Sequence, residues 1–279
     1  MKKMKMKMKM KMRVKPRQTV PNVFTMAALF AGVGSVLASG SGHFLLAAQL
    51  ILVSLILDGL DGTVARWLDG QTAFGAELDT FVDITSFGMA PAALLYFHPQ
   101  GLQLLPVHWG VLVACLTVAS GASRLSRFRV VDPYRGQRGY LGLPITGAAG
   151  FAAAYVIGVE CVKAAWRMPE AWTGWVSLAK GPLAELFWAG FVLMLVLQVS
   201  KVRYGKPTKN PVIFIPFFVG LVLLFVPPAA TWVSLAMMGY TLWYALISPF
   251  FFARFLAHLP PLPEEAAGEE GSEGAEGAE

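Results

Sequence analysis

The sequence predicts an all-α, polytopic transmembrane helical bundle with about eight membrane helices. Three observations predict it. Hydrophobic residues fill 56% of the 279 positions and charged residues only 14%, a balance foreign to soluble globular proteins. The apolar residues gather into runs near the roughly 20 residues that a bilayer core requires. Lys and Arg favour alternate connections between those runs, as the positive-inside rule demands.

The runs fall at 23–39, 43–68, 72–97, 107–126, 143–161, 182–200, 211–226 and 229–253. They divide the chain into a basic tail (1–20), a membrane domain (21–258) and an acidic tail (259–279). Residues 1–17 hold nine Lys or Arg and no acid, and Glu264–Glu279 holds seven Glu and no base. Neither tail can bury a core, so both are expected to be disordered. The basic tail suits anionic headgroups, at about 1 kcal/mol per Lys or Arg near the surface, or serves only as a solubilising tail. Membrane lipid, not nucleic acid, is its expected partner.

Twenty of the 23 bases lie in the tails, near Arg66, in 124–142, in 201–209 and at Arg254; Lys163, Arg167 and Lys180 lie opposite. Both termini are therefore expected in the cytoplasm. The Trp- and Pro-rich segment Trp166–Trp175 is expected as an interfacial loop on the other side. Cys115 and Cys161 lack metal-like spacing and read as small core residues. His43, His98, His108 and His258 are widely spaced and fall in loops or at interfaces.

One region breaks the apolar pattern. Ten acids lie outside the acidic tail, and six of them fall between Asp58 and Asp83, across the second and third runs and the turn that joins them. An Asp at a helix centre costs roughly 2.5–3.5 kcal/mol, so four uncompensated ones would cost on the order of 10 kcal/mol. Arg66 is the only base in that stretch, so bound cations are expected. Asp58 and Asp61 are three apart and Asp79 and Asp83 four apart, and each pair shares a helix face. Glu77 points away. A tight turn around Asp69-Gly70-Gln71 makes the two helices antiparallel, with Asp61 level with Asp79 and Asp58 level with Asp83. The cluster then sits roughly 10–15 Å inside the cytoplasmic boundary. All-oxygen ligation suits Mg²⁺ or Mn²⁺ rather than zinc, and two such ions can clamp a diphosphate. The small residues Gly62, Ala65, Gly75 and Ser86 share the acid-bearing faces and leave space beside them.

The stretch Asp58-x-x-Asp61-Gly62-x-x-Ala65-Arg66, then eight residues, Gly75, three, Asp79, three, Asp83 resembles the signature of the CDP-alcohol phosphotransferase family. The likeness extends to Pro21-Asn22-Val-Phe-Thr25 and, more loosely, to about residue 150. It implies a membrane-embedded helical enzyme, usually a homodimer, that uses two divalent metals and a CDP-linked donor such as CDP-diacylglycerol. Carried across, Asp58, Asp61 and Asp79 become metal ligands, and Asp83 a ligand, the catalytic base, or both. Gly62, Ala65, Arg66 and Gly75 line the nucleotide site.

The segment Ser86-Phe87-Gly88-Met-Ala-Pro91 and the run Arg124-Leu-Ser-Arg127-Phe128, followed by Gly142-Leu143-Pro144, resemble the branch whose acceptor is L-serine. Ser126 and Arg129 depart from that branch, where Ala and Asn are common. Arg124 and Arg127, three apart, suit a serine carboxylate or a lipid phosphate, or serve only as a topology signal. Asn22 and Ser86 offer either a hydrogen bond to substrate or a packing or capping role. Other acceptors (choline, glycerol-3-phosphate, inositol phosphate) are rivals within the family. A divalent-cation transporter is a rival outside it, but the acids stop at Asp83 and trace no path across the membrane.

Overall fold

The computed structural model describes residues 16–99, 101–102, 105–130, 139–165, 182–205 and 211–256. The tails beyond 16 and 256, the segment Trp166–Trp175 and His258 lie outside the described residues. Nine helices and two short strands are described, in the order α1 (Pro16–Gly40), α2 (Phe44–Trp67), α3 (Ala73–Phe97), α4 (Val107–Val130), β1 (Tyr140–Leu141), α5 (Ile145–Ala165), α6 (Pro182–Val199), β2 (Arg203–Tyr204), α7 (Pro211–Leu223), α8 (Pro227–Leu246) and α9 (Ser248–Leu256). α1 begins inside the segment read as tail, with a proline at its start, where a missing N–H costs nothing. Among the described residues, five helices are long and apolar enough to cross a membrane, namely α1 to α5. α6 is a shorter apolar helix. The chain is thus an all-α membrane bundle, apart from the two strands.

The centre of the bundle is α5. In its apolar window 72% of residues are buried, against 33% in α1, α2 and α4. Small and aromatic residues explain this. Alanines 152–154 admit neighbouring backbones, while Tyr155 stacks on Phe187 of α6 with ring centroids 3.6 Å apart and Phe151 lies on the same ring at 5.1 Å. Around this centre α1 and α2 form a pair stitched by two serines. Ser35 Oγ donates to Ala47 O at 2.8 Å, and Ser54 Oγ donates to Ala28 O at 3.0 Å.

Two local features place the acidic helices. The α2–α3 turn is closed by the Gly70 N–H donating to Ala65 O at 3.0 Å, with Asp69 left-handed at φ 52°. That is a Schellman-type stop, and Asp is among the few non-glycine residues that tolerate its φ. Thr72, extended at φ −135° and ψ 152°, then starts α3, its Oγ1 accepting from Gly75 N at 2.9 Å. The chain thus reverses within the few residues expected.

The second feature was not legible. α3 widens into a π-helical turn at Ile84–Met89, directly after Asp83, where Ala90 N–H reaches back five residues to Thr85 O. Pro91 follows at the start of the next α-helical stretch. It has no N–H for an α-helical bond back to Phe87, and the wider turn absorbs that gap; such turns are frequent at functional sites. The π turn buries Ser86, Phe87 and Gly88, and Ser86 meets α1 at Gly32. A Cβ on Gly32 would overlap the Ser86 hydroxyl and backbone, so α1 and α3 approach this closely because residue 32 has no side chain.

The strands β1 and β2 pair antiparallel, Tyr140 opposite Tyr204 and Leu141 opposite Arg203. Tyrosine hydroxyls tie this clasp to α8, as Tyr204 donates to Ala245 O at 3.0 Å and Tyr244 of α8 donates to Gly205 O at 2.8 Å. Burial pushes the Tyr204 hydroxyl up to about 12, so it stays a donor. Two-residue strands are too short to leave an alternating pattern in the sequence.

Candidate active site

Helical spacing puts Asp58 and Asp61 on one face of α2, and the reversal at Asp69 lays α3 beside it with Asp79. The three carboxylates each offer an oxygen within 4.8 Å of the others. Asp61 is only 6% exposed, and its Oδ2 accepts a 2.7 Å hydrogen bond from Thr25 Oγ1 on α1. Thr25 also lies 3.1 Å from Pro21 O, so α1 aims one carboxylate oxygen. Asp83, one helical turn beyond Asp79, is half-buried and within electrostatic reach of Asp58, Asp61 and Asp79. The close group is Asp58, Asp61 and Asp79, and Asp83, which the count along the helices set level with Asp58, lies within electrostatic reach of it.

Among the described residues no Lys or Arg forms an ion pair with any of these four carboxylates. The nearest bases are otherwise engaged or held off. Arg129 of α4 pairs with Glu77 at 2.7 Å and donates to Thr80 Oγ1 at 2.7 Å, which accounts for Glu77 facing away from the cluster. Arg124 of α4 lies within electrostatic reach of Asp83. A compact, partly buried set of hard oxygen donors without protein cations fits Mg²⁺ or Mn²⁺.

Beside the triad lies a cavity of about 490 Å³, within the range of small-molecule and cofactor sites. Asn22, Thr25, Asp61, Gly62, Ala65, Arg66, Gly75 and Asp79 all line it, eight of the residues singled out in the sequence, together with Pro21, Gly70, Gln71, Thr72, Ala73 and Ala76. Glycine at 75 is required by space: a Cβ there would lie 2.9 Å from Asn22 Oδ1 and 3.1 Å from Thr72 Oγ1. Arg66 is exposed at the rim, its guanidinium donating to Thr63 Oγ1 at 3.2 Å.

Besides Asp58 and Asp83, three expected substrate-binding residues sit apart from the cavity. Ser86 is fully buried in the α1–α3 contact and donates to Ala28 O at 3.2 Å, which is the packing alternative. Arg127 also takes a structural place, its NH1 donating to Val199 O and, at 3.3 Å, to Ser200 O. A cation there meets the open carbonyls at the C-terminus of α6. Arg124 faces inward, 6% exposed, with its guanidinium carbon 5.6 Å from the centre of the Tyr140 ring. Thr72 and Tyr140 were missed. The first was legible as a cap three residues before Gly75; the second lies in a clasp without a sequence signal.

Comparison with known proteins agrees with this geometry. Residues 18–183 match the CDP-alcohol phosphatidyltransferase family. A CDP-diacylglycerol–serine O-phosphatidyltransferase of Helicobacter pylori is 35% identical over 222 residues, 77% of this chain and 85% of that protein. A protein of the same name from Mycobacterium tuberculosis is 32% identical over 165 residues, 57% of this chain and 54% of its own. An archaetidylserine synthase of Methanothermobacter thermautotrophicus is 36% identical over 133 residues, 47% of this chain and 54% of its own. An acidic triad on an α-helical hairpin, a cavity built on its glycines, and a match across both together show that this chain is a transferase belonging to the CDP-alcohol phosphatidyltransferase family.

Proposed function

We propose that the enzyme transfers the phosphatidyl group of CDP-diacylglycerol to the hydroxyl of L-serine, releasing CMP and forming phosphatidylserine. The observation that carries the reading is that the acidic triad and the cavity share Asp61 and Asp79. A nucleotide held by the cavity thereby has its diphosphate beside the carboxylates. The names of the relatives, one of which matches over 222 residues of this chain, support serine as acceptor.

Asp58, Asp61 and Asp79, with Asp83, would hold two Mg²⁺ or Mn²⁺ ions, which when bound offset the diphosphate charge and favour CMP as leaving group. Gly62, Ala65 and Gly75 let the CDP moiety approach the backbone of α2 and α3, and Arg66 meets it at the rim. Asn22 borders Gly75 and Thr25 fixes Asp61, so α1 orients donor and carboxylate together. The acceptor oxygen bonds to the phosphorus of the phosphatidyl group while the bond from that phosphorus to the CMP oxygen breaks, its electron pair leaving with CMP. A carboxylate oxygen of Asp83 takes the hydroxyl proton. Ser86 and Arg127 hold helices.

The same reading places this end of the bundle, and both chain termini, at the cytoplasm, because the bases cluster there. It takes α6, α7 and α8 as further crossings, for about eight in all. A homodimer surrounded by membrane lipid follows from the resemblance to the family.

The test uses purified enzyme, CDP-diacylglycerol and Mg²⁺ or Mn²⁺ with one alcohol at a time. CMP should appear with L-serine. Release with glycerol-3-phosphate or inositol phosphate, but not with serine, would refute the acceptor. Asp83→Asn should retain donor binding and lose about 10²- to 10⁴-fold in turnover. Full turnover in that variant would remove Asp83 from the base role.

A further inference from the structure

The clasp of β1 and β2 is too short to hold itself. A two-stranded ribbon is marginal on its own in water, and this one has two residues on each side, Tyr140 opposite Tyr204 and Leu141 opposite Arg203. It is braced from outside. Tyr204 and Tyr244 bond it to α8, and α9 closes its open end. Gly139 precedes β1 and Gly205 follows β2, so the antiparallel register sets the two glycines side by side. The Phe252 ring of α9 lies against both. A Cβ on Gly139 would overlap Tyr204 O and stand 2.6 Å from that ring, and one on Gly205 would stand 2.9 Å from it. Gly139 is also left-handed at φ 85°, a conformation that favours glycine. Of the three successive phenylalanines in α9, Phe250 and Phe251 are exposed, and Phe252 is the one turned onto the clasp.

What the clasp holds is Tyr140. Its ring centre is 5.6 Å from the guanidinium carbon of Arg124, within the range of a cation–π contact, and 6.2 Å from the ring of Phe128 on α4. The residue is also within electrostatic reach of Asp58 and Asp83. Tyr140 therefore stands beside the acidic cluster, on a side that the cavity does not share. An aromatic ring there restrains the guanidinium by its face and takes up space that water would fill near the carboxylates. The parts that brace this ring, β2 and α9, lie beyond residue 183, where the match to the family ends.

We propose that Phe252 is a positioning residue for the transfer reaction: packed against Gly139 and Gly205, it locks the clasp and so fixes the Tyr140 ring beside the acidic cluster. It acts through Tyr140 rather than on the substrate. This rests on the acidic cluster being the reacting centre, as proposed above, and goes beyond that reading by giving the last described helix a part in catalysis.

The test measures CMP release by purified enzyme from CDP-diacylglycerol and the acceptor that wild-type enzyme uses, so it does not depend on that acceptor being serine. Phe252→Ala should lower kcat by about 10- to 100-fold. The KM for CDP-diacylglycerol and Mn²⁺ binding by calorimetry should hold, because the clasp borders neither the cavity nor the acidic triad. Phe252→Leu, which still fills the space beside the glycines, should recover most of the loss, and Phe251→Ala should match wild type. In a Tyr140→Ala background, Phe252→Ala should cost nothing further, because two residues acting through one contact are not additive. Wild-type kcat in Phe252→Ala, or losses that multiply in the double variant, would overturn the proposal. So would an equal loss in Phe251→Ala, or a loss of Mn²⁺ binding alongside kcat, as a general loosening of the bundle would give. Should Phe252→Ala fail to fold, Gly205→Ala carries the test, since its methyl would push the ring aside: unchanged kcat there overturns the proposal, and a fall that disappears in the Tyr140→Ala background supports it. Normal turnover in Asp61→Asn would instead refute the reacting centre itself, and the inference with it.

Discussion

Two polar clusters bracket α3, and they are built on opposite principles. At the end near Asp69, four carboxylates stand together and no ion pair reaches them among the described residues. At the other end His98 is fully buried, with its Nε2 3.1 Å from Glu160 Oε1 and its ring edge-on to Phe44 at 4.8 Å. Lys163 completes that group at 2.6 Å from the same Glu160 oxygen. Acid and base here come from one turn of α5, so the second cluster carries its own counter-charge. The first depends on something from outside the chain. A self-neutral polar cluster in an apolar setting holds helices together; a one-signed cluster waits for a ligand. Between the two, Leu94 and Leu95 of α3 are fully buried, so no ladder of charged groups links them along that helix, as ion passage would require.

Breaking the one-signed cluster should have the largest effect. Asp61→Asn keeps the Thr25 contact but removes a ligand charge, and should lower turnover by about 10²- to 10³-fold with loss of Mn²⁺ binding, read by calorimetry. Near-normal turnover would mean that the triad is not the reacting centre. An intermediate effect is expected at Gly75. A valine there would crowd Asn22 and Thr72, disturb the cap of α3 and fill the cavity, raising the KM for CDP-diacylglycerol by about 10- to 100-fold while Mn²⁺ binding persists. The smallest effect on catalysis is expected from Glu160→Gln. It should cost about 1–3 kcal/mol of stability, seen as a lower melting temperature in detergent, and leave turnover of the folded enzyme unchanged. A loss of turnover there without a loss of stability would erase the contrast between the clusters.

What the sequence made legible was whatever repeats locally. The apolar runs located α1 to α6 closely, because a membrane helix is a property of its own twenty residues. The pairs Asp58/Asp61 and Asp79/Asp83 disclosed a shared face, because helical spacing is fixed, and the Asp69 turn disclosed the antiparallel hairpin. Contacts between distant segments were not legible. Thr25 reaches Asp61 across 36 positions, and Arg127 reaches Val199 across 72. Nothing in Arg124-Leu-Ser-Arg127 separates the two arginines, since one turn of helix points them to different neighbours. The π turn escaped as well. Pro91 announced some local change in α3, but its form depends on what Ser86 packs against in α1. The role of Arg129, a departure from the branch that the sequence resembles, appeared only when Glu77 and Thr80 lay opposite it.

The Asp69 turn also bears on how the enzyme is made. All four carboxylates sit on one hairpin, and every arginine that approaches them from α4 is later in the chain. A ribosome therefore delivers Asp58 to Asp83 before Arg124 and Arg129 exist, and the hairpin meets the bilayer with Arg66 as the one base among its acids. The short turn keeps the acid-bearing ends of both helices together at one face of the membrane, where water and dissolved cations reach them during biogenesis. Lengthening that turn would leave the finished fold much the same and would act first on the yield of correctly inserted protein.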